Sequence, residues 1–253
     1  MIKLPTRYIG MGYWEIVSRQ MSIVTKSQQT KFKEAKVAII GCGGIGGSVI
    51  EQLARMGIGN INLIDKDIFD FSNLNRQLIS GLDTLAKEKS YSAKERVRNI
   101  NPYVNVNAFN EELNEENVEE VIGNSDIVID ALDNLATRVI VSRAANKLKI
   151  PYVHGAIHGT MGQISVFTPE RKTYEEMFQL PSFDKELTDD VKEEIKKLSH
   201  GVHPVIGPIP NIIGCLEAFE AFKYLTGIGE VTYSPKLLSF NILDLSSFNI
   251  IEL

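Results

Sequence analysis

Disulfide chemistry, membrane anchorage and general nucleic-acid binding are what this sequence is least equipped for. Only two cysteines, Cys42 and Cys215, stand among its 253 residues, too few for a disulfide framework. No apolar run is long enough to span a bilayer, and the first residues lack a signal-peptide pattern. A chain resident in a reducing cytoplasm is the simple expectation. Lys and Arg number 27 against 32 Asp and Glu, a net charge of −5. With no basic stripe to offset it, that balance argues against nucleic acid as a partner. The cluster Lys87, Lys89, Lys94, Arg96 and Arg98 reads, apart from Lys89, as an exposed helix face. Histidines are scarce as well: His154, His158, His200 and His203 are loosely spaced and lack cysteine partners, a poor pattern for a metal cluster.

What is present is a rhythm of strands and helices. Strand-like runs at 36–40, 61–65, 103–109, 126–131 and 151–155 alternate with helical patterns near 44–56, 86–99, 115–122 and 134–148. This predicts an α/β fold with a Rossmann-like, doubly wound, mostly parallel sheet that binds ligands at the carboxyl ends of its strands. Runs at 162–168, 237–243 and 248–252 read as strands that extend the sheet in antiparallel fashion. Residues 1–35 read as an N-terminal helical arm and 36–253 as a single domain. Segment 169–210 is the odd piece. It opens polar, carries Leu187, Val191, Ile195 and Leu198 at helical spacing, and ends in a proline-rich run that favours a stiff path.

The first strand, Val37-Ala38-Ile39-Ile40, leads directly into Gly41-Cys42-Gly43-Gly44-Ile45-Gly46. Such a turn presents backbone N–H groups to phosphate, and Asp65 closes the second strand where a ribose-binding carboxylate belongs. A nicotinamide or flavin dehydrogenase shares these features. Ser72-Asn73-Leu74-Asn75-Arg76-Gln77 tips the reading away from it. A redox enzyme has no use for a guanidinium fork just beyond the ribose strand, whereas a triphosphate does.

Together these motifs resemble the nucleotide site of the ubiquitin-activating-enzyme superfamily in its short ThiF/HesA/MoeB form. The resemblance covers roughly residues 14 to 245. It rests also on Lys89 twelve residues before Asn101, on Asp130-Ala131-Leu132-Asp133-Asn134, on Ser18-Arg19-Gln20, and on the packing helix at 214–221. It implies an adenylyltransferase that drives a carboxylate onto the α-phosphorus of ATP and releases pyrophosphate. Gly41, Gly43, Gly44, Gly46, Asp65, Asp67, Asn73, Arg76 and Lys89 would then bind ATP, with Arg76 and Lys89 holding the phosphates. Asp133 would carry Mg²⁺. Asp65 would hold the ribose; Asp67 is either a nucleotide contact or a helix cap, and Asn73 either a phosphate contact or a turn residue. Arg19 would reach the other subunit's γ-phosphate in a homodimer, and segment 169–210 would cross over the substrate.

The chain also departs from the family. Thr173 and Glu176 stand where many members have a zinc-binding C-x-x-C pair, and no cysteine lies in the crossover, where His200 aligns instead. No zinc site and no enzyme-bound thioester are expected, and Cys42 and Cys215 read as small buried residues. These losses favour a small-molecule carboxylate over the Gly-Gly tail of a ubiquitin-like sulfur carrier, with a separate thiol-bearing enzyme to intercept the adenylate. One candidate acid is the guanylylpyridinol precursor of the iron-hydrogenase cofactor, adenylated by a methanogen branch of the family. His154 and His158, read as following the fifth strand, are the candidate substrate contacts. The readings from other classes are an NAD-dependent oxidoreductase, which leaves Arg76, Lys89 and Mg²⁺ without a role, and a silent pseudo-subunit, against which the retained charged residues argue.

Overall fold

The computed structural model describes residues 12–198 and 204–253; His200 and His203 lie outside that range. Eight strands form one sheet in the order β3-β2-β1-β4-β5-β6-β7-β8. The parallel half comprises β1 (Lys36–Ile40), β2 (Asn60–Ile64), β3 (Asn105–Phe109), β4 (Ile127–Asp130) and β5 (Tyr152–His158). β6 (Met161–Phe167), β7 (Lys236–Asn241) and β8 (Asp244–Glu252) then add on antiparallel. The expected α/β class, with its parallel core and antiparallel extension, is what the chain forms.

β-Branched residues explain the centre. Along β1, Val37 and Ile39 point into one hydrophobic layer and Ala38 and Ile40 into the other, all essentially inaccessible to solvent. A strand covered on both faces reads as a continuous apolar run, which is why β1 and β4 are so legible. Helices α2 (Lys26–Glu34), α3 (Gly44–Met56), α4 (Lys89–Ile100) and α9 (Pro208–Thr226) cover the first face. The second face carries α5 (Val118–Ile122), α6 (Leu135–Lys147), α7 (Tyr174–Met177) and α8 (Asp189–Lys197). The short α1 (Gly12–Ile16) precedes them. Phe32 of α2 is fully buried and meets Phe222 of α9 edge-on, so residues before β1 contribute directly to the main core.

Two strand boundaries differ most from expectation. β5 runs through His158 rather than ending at 155, because its hairpin with β6 keeps every residue from Tyr152 to His158 paired. β8 begins at Asp244 and forms the edge, with Leu245, Phe248, Ile250 and Ile251 exposed. The helical spacing read in the crossover corresponds to α8, capped by Thr188 and buried through Ile195.

Helix α9 is apolar all round because it is packed against both α3 and the sheet. Gly214 lets it approach α3. A Cβ there would lie 2.5 Å from the Ile45 carbonyl oxygen and 2.7 Å from the Ser48 side chain. Gly214→Ala should force the helices apart and lower stability by about 1–3 kcal/mol, readable as a lower thermal midpoint. A variant as stable as the parent would show that the contact relaxes freely.

Candidate active site

The strand order reverses between β1 and β4, and in an open α/β sheet the carboxyl ends of the strands at such a reversal are where a ligand crevice belongs. Two loops meet there. Gly41 to Gly43 leave β1 and enter α3, while Ala131 to Asn134 leave β4 and enter α6. The meeting is close. A side chain at Gly46 would stand 2.0 Å from the Gly41 carbonyl oxygen and 3.2 Å from the Ala131 methyl. Gly43 is the N-cap of α3 and offers no side chain to its first turn. The N–H groups of Gly44, Ile45 and Gly46 therefore have no acceptor within the helix and form the positive end of its dipole. That is an anion cradle.

Asp65 ties this turn to the loop after β2. Its Oδ2 accepts from the Cys42 amide at 2.7 Å and its Oδ1 from the Asp67 amide at 2.8 Å. Burial pushes its carboxyl above the usual range, opposed by those two N–H donors and by the Lys89 charge. Lys89 is buried at the first position of α4, where it pairs with Asp67 at 3.0 Å. A cation at a helix N-terminus is placed against the dipole, an arrangement better suited to receiving an anion than to stability. Lys66 pairs with Glu112 at 2.7 Å, which raises its pKa, and the charges of Asp67 and Asp133 add to the rise. Asp133 is exposed on the loop after β4, near enough for its charge to act on Lys66.

The loop from 71 to 77 adds the guanidinium. Arg76 is half-exposed and donates from Nη1 to the Ser72 carbonyl at 2.7 Å and to Asn75 Oδ1 at 2.9 Å, so its fork lies folded along its own loop. Asn73 is buried and accepts from the Asp70 amide at 3.0 Å in a reciprocal cap. Of the two roles open to Asn73, the turn role is the one its carbonyl oxygen fills.

Sequence reasoning missed some members. Gln77 is buried with its Oε1 unpartnered, and its Nε2 lies 3.7 Å from where a Gly43 side chain would begin. Asn211, in the first turn of α9, accepts from Ser48 Oγ at 2.5 Å and donates to the Gly207 carbonyl at 2.6 Å and the Arg76 carbonyl at 3.4 Å. No local pattern announces Asn211, because its partners lie 163, 4 and 135 residues away. The returning crossover passes here too. Val205 bridges Gly159 beyond β5, and Gly207 abuts the Asn75 carbonyl.

Three expectations need correction. His154 does not follow the fifth strand at a rim; it lies within β5, wholly buried, and burial lowers its pKa to about 4. Sheet pairing with Ser165 of β6 turns it inward. His158 does stand exposed, at the strand's end. Cys215 is exposed rather than buried, on the outer stripe of α9 with Phe219, whereas Cys42 is buried as read. At the third place, Arg96 is more than a solvated face: it holds the buried Glu51 carboxylate through two bonds of 2.8 and 2.9 Å. Thr173 and Glu176 form a reciprocal cap on α7, a use of those positions that needs no cation. Among the described residues no cluster of three or more His, Cys, Asp or Glu is arranged to hold a metal ion, and no helix is long and apolar enough to cross a membrane.

The sequence profile of the ThiF family matches residues 17–253. The chain belongs to the ThiF family. It is 35% identical over 228 residues to a molybdopterin-synthase adenylyltransferase of Haemophilus influenzae, covering 88% of this chain and 89% of that protein. A sulfur carrier protein adenylyltransferase of Thermus thermophilus is 32% identical over 237 residues, 90% of this chain and 83% of that one. The crystal structure of Escherichia coli MccB with ATP superposes with a TM-score of 0.77 at 24% identity, covering 99% of this chain and 73% of MccB, a likeness of fold. The enzyme class of this ThiF-family chain is adenylyltransferase; the acceptor differs from relative to relative.

One group behind the crevice gives a pH test. Glu217 of α9 is fully buried against Gly155, both carboxyl oxygens without hydrogen bonds. Burial drives its pKa well above the usual range, with Asp130 adding and Arg138 opposing. The unfolded chain releases this proton near pH 4.3 and the folded chain only at higher pH. Stability on this account is therefore intact in acid and declines as pH rises past about 4.3. Glu217→Gln should remove that decline, so its advantage in thermal midpoint should grow from pH 4 to pH 8. Parallel midpoint-versus-pH curves for the two proteins would rule it out.

Proposed function

We propose that this ThiF-family protein activates a carboxylate as an acyl adenylate at the expense of ATP, and that the acceptor is a small cofactor-type acid. The observation that carries the first half is convergence. The Gly41–Gly46 cradle, Asp65, Lys89, Arg76 and Asp133 come from five separate stretches of sequence and surround one crevice. Two anions must meet for the reaction, and charge grows on the departing pyrophosphate. Cationic and N–H donors are what that transition state needs, more than a general base. The helix end takes phosphate, Lys89 can exchange its Asp67 partner for a phosphate oxygen, and the Arg76 fork can swing from its loop carbonyl to the triphosphate. Asp133 and Asp67 offer hard oxygen donors, a set that suits Mg²⁺. When bound, the ion would neutralise charge on the leaving group.

The acceptor reading rests on what the crossover contains. Its described part supplies a cap at Thr173 and Glu176 and an amphipathic α8, and its sequence holds no cysteine. The return through Val205 and Gly207 closes on the crevice beside the exposed His158. A second reading, the Gly-Gly tail of a sulfur carrier, draws support from the Thermus relative's name. Pyrophosphate exchange decides between them. We expect exchange with an acid such as the guanylylpyridinol, none with a Gly-Gly-ended carrier, and a loss of roughly 10²–10³-fold in Asp133→Asn. Exchange driven by the carrier alone would restore the sulfur-carrier reading, and tight NAD binding without ATP binding would remove adenylation altogether.

The active unit is proposed to be a homodimer. Gln20 donates to the Met56 carbonyl at 2.9 Å, which anchors its neighbour Arg19 at the far end of α3. The thirteen residues of α3, from Gly44 to Met56, span roughly 20 Å. Arg19 is exposed and beyond reach of its own crevice. Mixing Arg19→Ala with Arg76→Ala chains should restore about a quarter of wild-type sites by random pairing. A mixture that stays inactive while both variants dimerise would show that Arg19 does not act across an interface.

A further inference from the structure

The loop that carries Asp133 is gripped from behind by charges sealed inside the sheet. Asp130, the last residue of β4, is completely buried. Its Oδ1 accepts from the Leu132 amide at 3.0 Å. Its Oδ2 accepts from the Tyr152 hydroxyl at 2.7 Å and lies 3.0 Å from His154 Nδ1. Arg138, buried in the first turn of α6, places its Nε 3.5 Å from the same oxygen. From its Nη2 it donates to the Leu132 carbonyl and, at 3.1 Å, to the Gly155 carbonyl.

Leu132 is therefore held at both ends of the residue, its amide by Asp130 and its carbonyl by Arg138. On the other side of Asp133, Asn134 is fixed as the N-cap of α6, its Oδ1 accepting from the Thr137 amide at 2.8 Å. Asp133 stands between two pinned neighbours, with little backbone freedom left to it. His154 completes the arrangement. Kept neutral by its burial, it places Nδ1 3.0 Å from both Asp130 Oδ2 and Arg138 Nη1, of which a neutral tautomer can serve only one, and Nε2 3.3 Å from Gln163 Nε2.

Stability alone gives poor reason for such a cluster. Desolvating a carboxylate and a guanidinium costs about as much as their attraction returns, and well-packed apolar residues commonly do as well. What the cluster supplies is direction. We propose that Asp130 and Arg138 are positioning residues for Asp133: by fixing the Leu132 peptide they aim the Asp133 carboxylate at the nucleotide phosphates and at the cation that accompanies them. This rests on the adenylation reading for the cation, though the pinning of the loop does not.

Two measurements on Arg138→Lys keep these apart. Hydrogen–deuterium exchange of the ligand-free protein reads the loop alone, and the amides of 131–134 should exchange faster than in the parent while those of β1 and β4 do not. Calorimetric titration with ATP, first in EDTA and then with Mg²⁺, reads the metal. Affinity in EDTA should stay within about twofold, whereas the apparent affinity for Mg²⁺ on the ATP complex should fall roughly 10–100-fold. Unchanged loop exchange would overturn the proposal. So would metal-free and metal-dependent affinities that fall in equal proportion, the signature of general destabilisation. A parent protein that binds no ATP at all would defeat the adenylation reading, while the exchange data would still judge the loop. Should Arg138→Lys fail to fold, Tyr152→Phe removes one hydrogen bond from Asp130 and should show the same changes, smaller in size.

Discussion

Everything at the crevice depends on one carboxylate that bridges two loops. Asp65 receives the amide of Cys42 on one oxygen and that of Asp67 on the other. Without it the glycine turn and the loop after β2 would each be free to choose a path. With it, the N-terminus of α3 and the Asp67–Lys89 pair are set in fixed relation. The bonds it uses are charge-assisted, which offsets part of the cost of its burial. A ribose would meet a carboxylate already committed to two amides, so any sugar hydroxyl must use the remaining lone pairs.

Much of this was legible in the sequence, for a definable reason. Glycine turns, the acidic residue after β2 and the Asn73–Gln77 loop are local: each is made by residues a few positions apart, and each carries its chemistry in residue type. Central strands announce themselves through β-branched runs, as Val37 to Ile40 do. The order of β1 to β5 follows from the βαβ rhythm and the handedness of crossovers.

Side-chain partners across the sheet were not legible. His154 reads as following the fifth strand; the hairpin with β6 carries that strand through His158 and buries the imidazole between Asp130 and Gln163. Nothing in the sequence sets Arg138 apart, and only its closeness to Asp130 and to the Leu132 carbonyl gives it a role. Cys215 failed in the opposite direction, since a helix apolar on every side leaves its exposed stripe undetermined by pattern alone. Asn211 and Gln77 are polar groups whose meaning lies wholly in contacts made after folding.

The ion pair of Lys89 has a bearing on self-damage. An acyl adenylate is an acylating reagent, and a free primary amine beside it is the nucleophile most apt to intercept it. Lys89 stands close to where such a product would form, yet it is buried and its ammonium is bound to the Asp67 carboxylate. Held in an ion pair, with Asp67 here and with a phosphate oxygen once nucleotide binds, the nitrogen is kept from attack, and an enzyme that makes a reactive mixed anhydride would spare its own phosphate anchor from modification.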